Sequence, residues 1–158
     1  LLQNGAKKVY AVDSGENQLD VSLIENPKVV NMEKYNARNL SRSDFGEALD
    51  IAVMDVSFIS QTLIIPALSE LLGDGSIFVS LIKPQFEVGK SAIGKKGIVK
   101  LPKDRINAVK SVLAFADRFG FGCIGVSESV ITGGDGNIEY VAAFKKGEKT
   151  QIIIDLQR

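Results

Sequence analysis

Three ionisable residues stand just beyond apolar runs of this chain. Asp13 follows Val9-Tyr10-Ala11-Val12, Asp55 follows Asp50 to Met54, and Lys83 follows Ser76 to Ile82. In open parallel sheets ligands bind outside the carboxyl ends of the strands, so each residue stands where a bound molecule would be met. A carboxylate at Asp13 can accept two hydrogen bonds from a nucleoside ribose, although Asp-Ser-Gly is equally good turn or capping chemistry. Asp55 opens Asp-Val-Ser-Phe-Ile-Ser, where Asp55, Ser57 and Ser60 are also favoured at a helix start. Lys83 lies in Ile-Lys-Pro, which puts an amine at the rim of a core. Desolvation there favours the neutral amine and makes it a usable base. A lysine that snorkels from the sheet edge is the plainer alternative. Glu139 follows a glycine-rich turn, Thr132 to Asn137, which is a weak signal taken alone.

The remaining inventory narrows the chemistry. The chain has no His, which removes the Ser-His-Asp arrangement and imidazole metal ligands. Its single cysteine, Cys123, excludes an internal disulfide framework and a cysteine-rich zinc site. Proton transfer then falls to Lys, Asp, Glu or Tyr. Lys+Arg and Asp+Glu both number 19, so no bulk basic field points to nucleic acid. RNA binding would have to come from a local patch or a partner domain. Lys90, Lys95, Lys96 and Lys100 form such a patch, readable as solvated loop or as a phosphate contact surface. Gly89-Lys90-Ser91 imitates the end of a P-loop, but Pro84 occupies the position that needs the first glycine.

The elements that must position these residues alternate between apolar runs and helical patterns, as in an α/β sheet with crossover helices. Strands are expected at Val9 to Val12, Lys28 to Met32, Asp50 to Met54, Ser76 to Ile82, Gly122 to Val130 and Ile138 to Phe144. Helices are expected from Asn17 to Glu25, Ile59 to Leu72 and Lys103 to Phe119, with Gly73-Asp74-Gly75 as a terminating turn. From Gln85 to Pro102 little periodicity remains, so this is read as a long functional loop. Only a turn separates the last two strands. The sheet should therefore be mostly parallel with an antiparallel last strand. Leu1 to Asn4 followed by Gly5 reads as the end of a helix, and a doubly wound fold expects its first strand upstream of it. Val56 to Leu68 is interrupted by polar residues and Pro66, short of the roughly 18 to 20 apolar residues of a membrane span. With no signal-peptide pattern at the start, a cytoplasmic enzyme without a membrane partner is expected.

Five segments occur together and in order: Val-Tyr-Ala-Val-Asp (9–13), Asn-Ala-Arg (36–38), Asp-Val-Ser-Phe-Ile-Ser (55–60), Leu-Ile-Lys-Pro-Gln-Phe-Glu (81–87) and Ile-Thr-Gly…Gly-Asn-Ile-Glu-Tyr (131–140). That series resembles the TlyA/hemolysin A family, whose fold and catalytic arrangement are FtsJ-like. The resemblance covers the chain to about Lys146 and implies a domain over 1–146 with a tail at 147–158. It implies a Rossmann-like, S-adenosylmethionine (SAM) dependent rRNA (cytidine-2′-O-)methyltransferase acting on ribosomal RNA. The family's Lys-Asp-Lys-Glu site maps Asp55, Lys83 and Glu139 onto its last three positions. The first lysine, the glycine-rich SAM loop and an N-terminal S4-like RNA-binding domain would lie upstream of Leu1. Asp13 would hold the SAM ribose and Asn36-Ala37 the adenine edge, with Asp55 also among the cofactor-binding residues.

Other readings stay open on residues alone. An amino-directed base methyltransferase would show Asn/Asp-Pro-Pro-Tyr/Phe where this chain has Asp-Val-Ser-Phe, and a C5-cytosine enzyme needs a loop cysteine. An NAD-dependent Rossmann oxidoreductase would place Asp13 on the NAD ribose. A non-catalytic hemolysin-like protein has no basic amphipathic helix to support it.

Overall fold

The computed structural model describes residues 1–133 and 136–150, with Lys95 described in its backbone alone. Gly134 and Asp135 of the glycine-rich turn, and the Ile152-Ile153-Ile154 run of the tail, lie outside the described residues. Contacts divide the chain into two units, 1–40 and 41 onward.

The first unit opens with a single turn at Leu2–Asn4 that ends on Gly5 in the left-handed region, as the end of a helix would. Strand β1 (Val9–Val12) pairs in parallel with β2 (Val29–Met32), Val9 opposite Val29. The helix expected from Asn17 to Glu25 shrinks to α1, Val21–Ile24. Asn17 has a φ of 56°, which a helix cannot contain. The next two amides donate to the Glu33 carboxylate instead, Gln18 at 2.6 Å and Leu19 at 3.1 Å. Those amide bonds hold the Glu33 carboxyl below its ordinary range. Asp20 then caps α1 by accepting the Ser22 N–H at 2.9 Å.

The second unit holds β3 (Leu49–Met54), α2 (Ile65–Leu71), β4 (Leu72–Ile82), α3 (Pro84–Glu87), α4 (Pro102–Arg118), β5 (Phe121–Glu128) and β6 (Tyr140–Lys146). Its sheet has the order β3-β4-β6-β5. β3 and β4 are parallel, while β6 runs antiparallel to both β4 and β5. The sheet is thus mixed, with its last strand reversed, because a turn cannot return the chain in the parallel sense.

Two local expectations are corrected here. The apolar pattern from Ile59 to Leu72 splits into a turn at Gln61–Leu63 and α2. Ser60 accepts the Thr62 N–H at 3.2 Å and starts that turn, and Pro66 sits in the first turn of α2, where its missing N–H is not needed. Gly73-Asp74-Gly75 does not end a helix. It forms a bulge in β4, because Leu49 faces Leu72 while Ile51 already faces Ile77. Gly75 takes the left-handed conformation that this bend requires.

One face of the sheet carries the core. Phe78, Phe121 and Phe144 are fully buried, with the Phe78 ring 5.2 Å from Phe144 and 5.4 Å from Phe121. From α4, Ala108, Val109, Val112, Leu113 and Ala116 are buried at helical spacing. On the opposite face Ile51, Val53 and Val141 keep substantial exposure. The start of the tail is pinned, since Thr150 donates to Asp117 of α4 and accepts the Cys123 N–H of β5 at 3.0 Å. Among the described residues no helix is long and apolar enough to cross a membrane.

Candidate active site

β3 and β4 are parallel neighbours with Met54 opposite Ser80, so the residues after both strands emerge on one rim. There the Lys83 Nζ lies 2.6 Å from Asp55 Oδ1 and donates to Ser57 Oγ at 3.0 Å. The Lys83 side chain is only 13% exposed, whereas that of Asp55 is 67% exposed. The lysine stem is therefore packed, and its amine is held by two oxygen acceptors from the loop after β3.

Glu139 reaches the same rim from the antiparallel strand. Tyr140 pairs with Ile82 in the β4–β6 ladder, so the next position outward sets Glu139 across from Lys83. The Glu139 carbonyl accepts the Ser129 N–H at 2.8 Å. Its carboxylate accepts a bond from Gln85 Nε2 at 3.0 Å, and the residue is 6% exposed. The amide orientation of Gln85 follows from that bond, and its buried Oε1 has no donor among the described residues. A buried acceptor without a donor is unusual in a folded protein. Gly133 packs directly on the Glu139 carboxylate, where a Cβ would collide with it.

Behind the rim lies a set of hydrogen bonds. Gln61 is 1% exposed; its Nε2 donates to the Leu81 carbonyl at 2.6 Å and its Oε1 accepts from Ser80 Oγ at 2.7 Å. The Glu87 carboxylate accepts the Gln61 N–H at 2.9 Å and the Ser60 hydroxyl at 2.6 Å. Burial pushes the Glu87 carboxyl above its ordinary range, against the opposing pull of these two bonds. Ahead of Ser60, Phe58 takes a φ of 62° and holds its ring in solvent, 92% exposed and 5.2 Å from Phe86.

The other predicted positions fall elsewhere. Asp13 is exposed at the end of β1, its Oδ1 accepting the Gly15 N–H at 2.6 Å. It lines a cleft of about 170 Å³ with Ala11, Val12, Gln18, Leu19, Asn31 and Glu33. Asn36 uses its side-chain oxygen to cap the turn at Ala37–Asn39, accepting the Arg38 N–H at 3.1 Å. Lys90, Lys96 and Lys100 are exposed on the segment after α3, and Lys95 is described in its backbone only. Two short turns and α3 give that segment more structure than a bare loop. Asn137 ties it to the turn before β6, accepting the Val99 N–H at 3.2 Å and donating to the Gly97 carbonyl at 3.1 Å.

Residues that sequence reasoning did not assign to the site are Gln85 and Gly133, with Ser57 read only as a cap. Gln85 carried a signal in hindsight, because an amide one residue beyond Lys-Pro starts the turn that continues from the strand end.

Residues 1–146 match the model of the FtsJ-like methyltransferase family. The Bacillus subtilis protein YqxC, provisionally named an rRNA methyltransferase, is 49% identical over 141 residues, 89% of this chain and 50% of that protein. TlyA of Mycobacterium tuberculosis, named a 16S/23S rRNA (cytidine-2′-O)-methyltransferase, is 41% identical over 140 residues, 89% of this chain and 52% of that protein. A solved structure from Streptococcus thermophilus, provisionally named a hemolysin, superposes with a TM-score of 0.92 at 46% identity, covering 98% of this chain and 56% of that one. The chain thus spans about half the length of the curated relatives it matches.

The contact at Gly133 is testable by itself. Gly133→Ala should displace the Glu139 carboxylate and break its bond to Gln85, with a loss of about 1–3 kcal/mol from a buried polar group left unpaired. Urea unfolding of the variant beside the parent measures this, and coincident midpoints would show that the contact carries no weight.

Proposed function

The chain belongs to the FtsJ-like methyltransferase family, and from that premise we propose that residues 1–146 form the catalytic domain of an enzyme that methylates a ribose 2′-hydroxyl of ribosomal RNA, at a cytidine. The observation that carries the reading is the buried lysine stem whose amine lies 2.6 Å from Asp55, with Lys83 and Glu139 both one position beyond the Ile82–Tyr140 end of the ladder.

SAM, when bound, supplies the electrophilic methyl group. A ribose hydroxyl is a weak nucleophile, and it needs a base placed at the oxygen as the new bond forms. Lys83 in its neutral form has a lone pair for that proton. Asp55 and Ser57 orient the amine and then hold the ammonium that results. Glu139 adds a second carboxylate on the same rim, with Gln85 fixing its orientation. Preorganised groups of this kind lower the barrier because they need not rearrange as charge develops.

For the cofactor, the residues of the first unit fit in part. The exposed Asp13 carboxylate at a strand end suits a ribose, and Asn36-Ala37 follow in the same unit for the adenine edge. The cleft of about 170 Å³ lies below the roughly 300–1,000 Å³ of pockets that enclose a whole small molecule, so it accommodates a sugar-sized portion.

Lys90, Lys95, Lys96 and Lys100 contact phosphates in this reading, beside an S4-like RNA-binding domain expected upstream. Work on ribosomal RNA places the enzyme in the cytoplasm. Neutralising Lys96 and Lys100 together should weaken RNA binding and make it less dependent on salt. A slope of binding against salt that matches the parent would reduce these lysines to solvated surface.

The central test uses two variants of the full-length protein. Lys83→Ala should remove most methyl transfer while leaving SAM affinity nearly intact, since a base acts on the transition state. Asp13→Ala should do the reverse, weakening SAM binding by about 1–3 kcal/mol through lost ribose hydrogen bonds. Calorimetry and a transfer assay on ribosomal RNA separate the two. Full activity in the Lys83 variant would end the 2′-O mechanism.

A further inference from the structure

The mechanism above uses Asp55, Lys83 and Glu139, and it leaves Glu87 unassigned. Resting on that reading of the rim, we infer that Glu87 is a positioning residue, whose carboxylate clamps the loop after β3 to the turn after β4 and so sets the Lys83–Asp55–Ser57 geometry. The two segments belong to different strands. Asp55 and Ser57 travel with the loop that ends at Ser60 and Gln61, and Lys83 leads directly into α3, which carries Glu87. The Lys83 carbonyl also accepts the Phe86 N–H at 2.9 Å, and the Pro84 carbonyl accepts the Val88 N–H at 3.0 Å, so α3 moves with the lysine as one turn.

Both oxygens of Glu87 are spent on the partner loop. Oε2 accepts the Ser60 hydroxyl at 2.6 Å and Oε1 accepts the Gln61 N–H at 2.9 Å. Ser60 also shares a hydrogen bond with Thr62 at 2.7 Å, and Gln61 reaches β4 through Ser80 and Leu81. A carboxylate is the side chain that can accept from a hydroxyl and an amide at once with both oxygens. Among the described residues Glu87 has no cationic partner, so charge balance does not account for its position. Burial disfavours its ionised form, and the two donors are what retain it there.

Several consequences of a clamp differ from those of ordinary packing. Without it, the loop bearing Asp55 and Ser57 keeps its link to β4 through Gln61 but is joined to the turn that holds the amine only by the half-exposed Lys83 contacts themselves and by Phe58 against Phe86. Misplacement by about 1 Å at a reacting group lowers a rate by up to about 100-fold. Glu87→Ala in the full-length protein should therefore reduce kcat on ribosomal RNA within that range, with KM for RNA and affinity for SAM nearly unchanged. Glu87→Gln should restore most of the rate, because the amide oxygen can accept the Gln61 N–H while its NH₂ donates to Ser60 Oγ.

A second readout needs no activity. In protein labelled with ¹³C-lysine, the ε-methylene signal of Lys83, identified by its loss in Lys83→Arg, reports the surroundings of the amine. It should move toward the position of an unpaired lysine in Glu87→Ala and stay near the parental position in Glu87→Gln. Should Glu87→Ala fail to fold, Ser60→Ala removes one of the two donors and should show the same shifts in smaller measure. The inference is overturned where Glu87→Ala keeps the parental kcat and Lys83 signal, or where Glu87→Gln is as impaired as Ala. It is also overturned where the loss tracks SAM affinity. A parent protein that transfers no methyl to the 2′-oxygen would bring down the functional reading alone, and the Lys83 signal would still decide the role of Glu87.

Discussion

The rim depends on one buried amide. Gln61 is almost wholly removed from solvent, and its backbone N–H, side-chain oxygen and side-chain nitrogen each have a partner. A buried polar group that loses its partner costs about 1–3 kcal/mol, so each bond resists a change in the position of this turn. Two of the partners, Ser80 and Leu81, are in the last turn of strand before Lys83. The residue thus fixes the height of the loop after β3 relative to the end of β4, and β4 is the strand that presents the amine. Apolar packing alone tolerates small slides, whereas a fully paired amide in a dry interior specifies one arrangement.

That anchor also accounts for the strain beside it. Phe58 holds a left-handed backbone with a large side chain, a conformation that costs of order 1–3 kcal/mol and persists only where the surroundings over-determine it. Here Ser57 on one side is bonded to Lys83, and Ser60 on the other is bonded to Glu87. Between two fixed points only a short span remains, and the turn that closes it leaves the ring in solvent. The exposure of Phe58 is therefore a consequence of how the loop is tethered, and the same tethering turns Ser57 toward the amine.

Much of this was legible in the residues, for a specific reason. Asp55 and Lys83 follow continuous apolar runs, and two parallel strands that are neighbours must release their next residues on one rim. Glu139 was legible because only a turn separates the last two strands, which reverses the final one and brings its beginning to that rim. Long-range hydrogen bonds were not legible. The helical pattern over Asn17 to Glu25 fails because Glu33, in the turn just past β2, captures the amides of Gln18 and Leu19. The pattern over Ile59 to Leu72 was read as one helix, although Ser60 and Pro66 each mark a new start within it. Gly73-Asp74-Gly75 carries every signal of a terminating turn, and only the pairing of Leu49 with Leu72 makes it a bulge. Glu87 in Gln-Phe-Glu looks like any helix glutamate, since nothing local reveals that Ser60 and Gln61 lie against it.

The distribution of charge at the rim constrains any substrate. Lys83 is paired with Asp55, while Glu139 is held by Gln85 and Glu87 by Ser60 and Gln61, so three carboxylates and one amine belong to the segments that form this rim. Such a setting suits a neutral hydroxyl and opposes a phosphate, which must be held farther away if a nucleic acid is to present its sugar. The exposed Lys90, Lys96 and Lys100 lie on the segment that Asn137 fastens, through Val99 and Gly97, two residues before Glu139. One hydrogen-bonded side chain thus couples the basic segment to the turn that leads into Glu139.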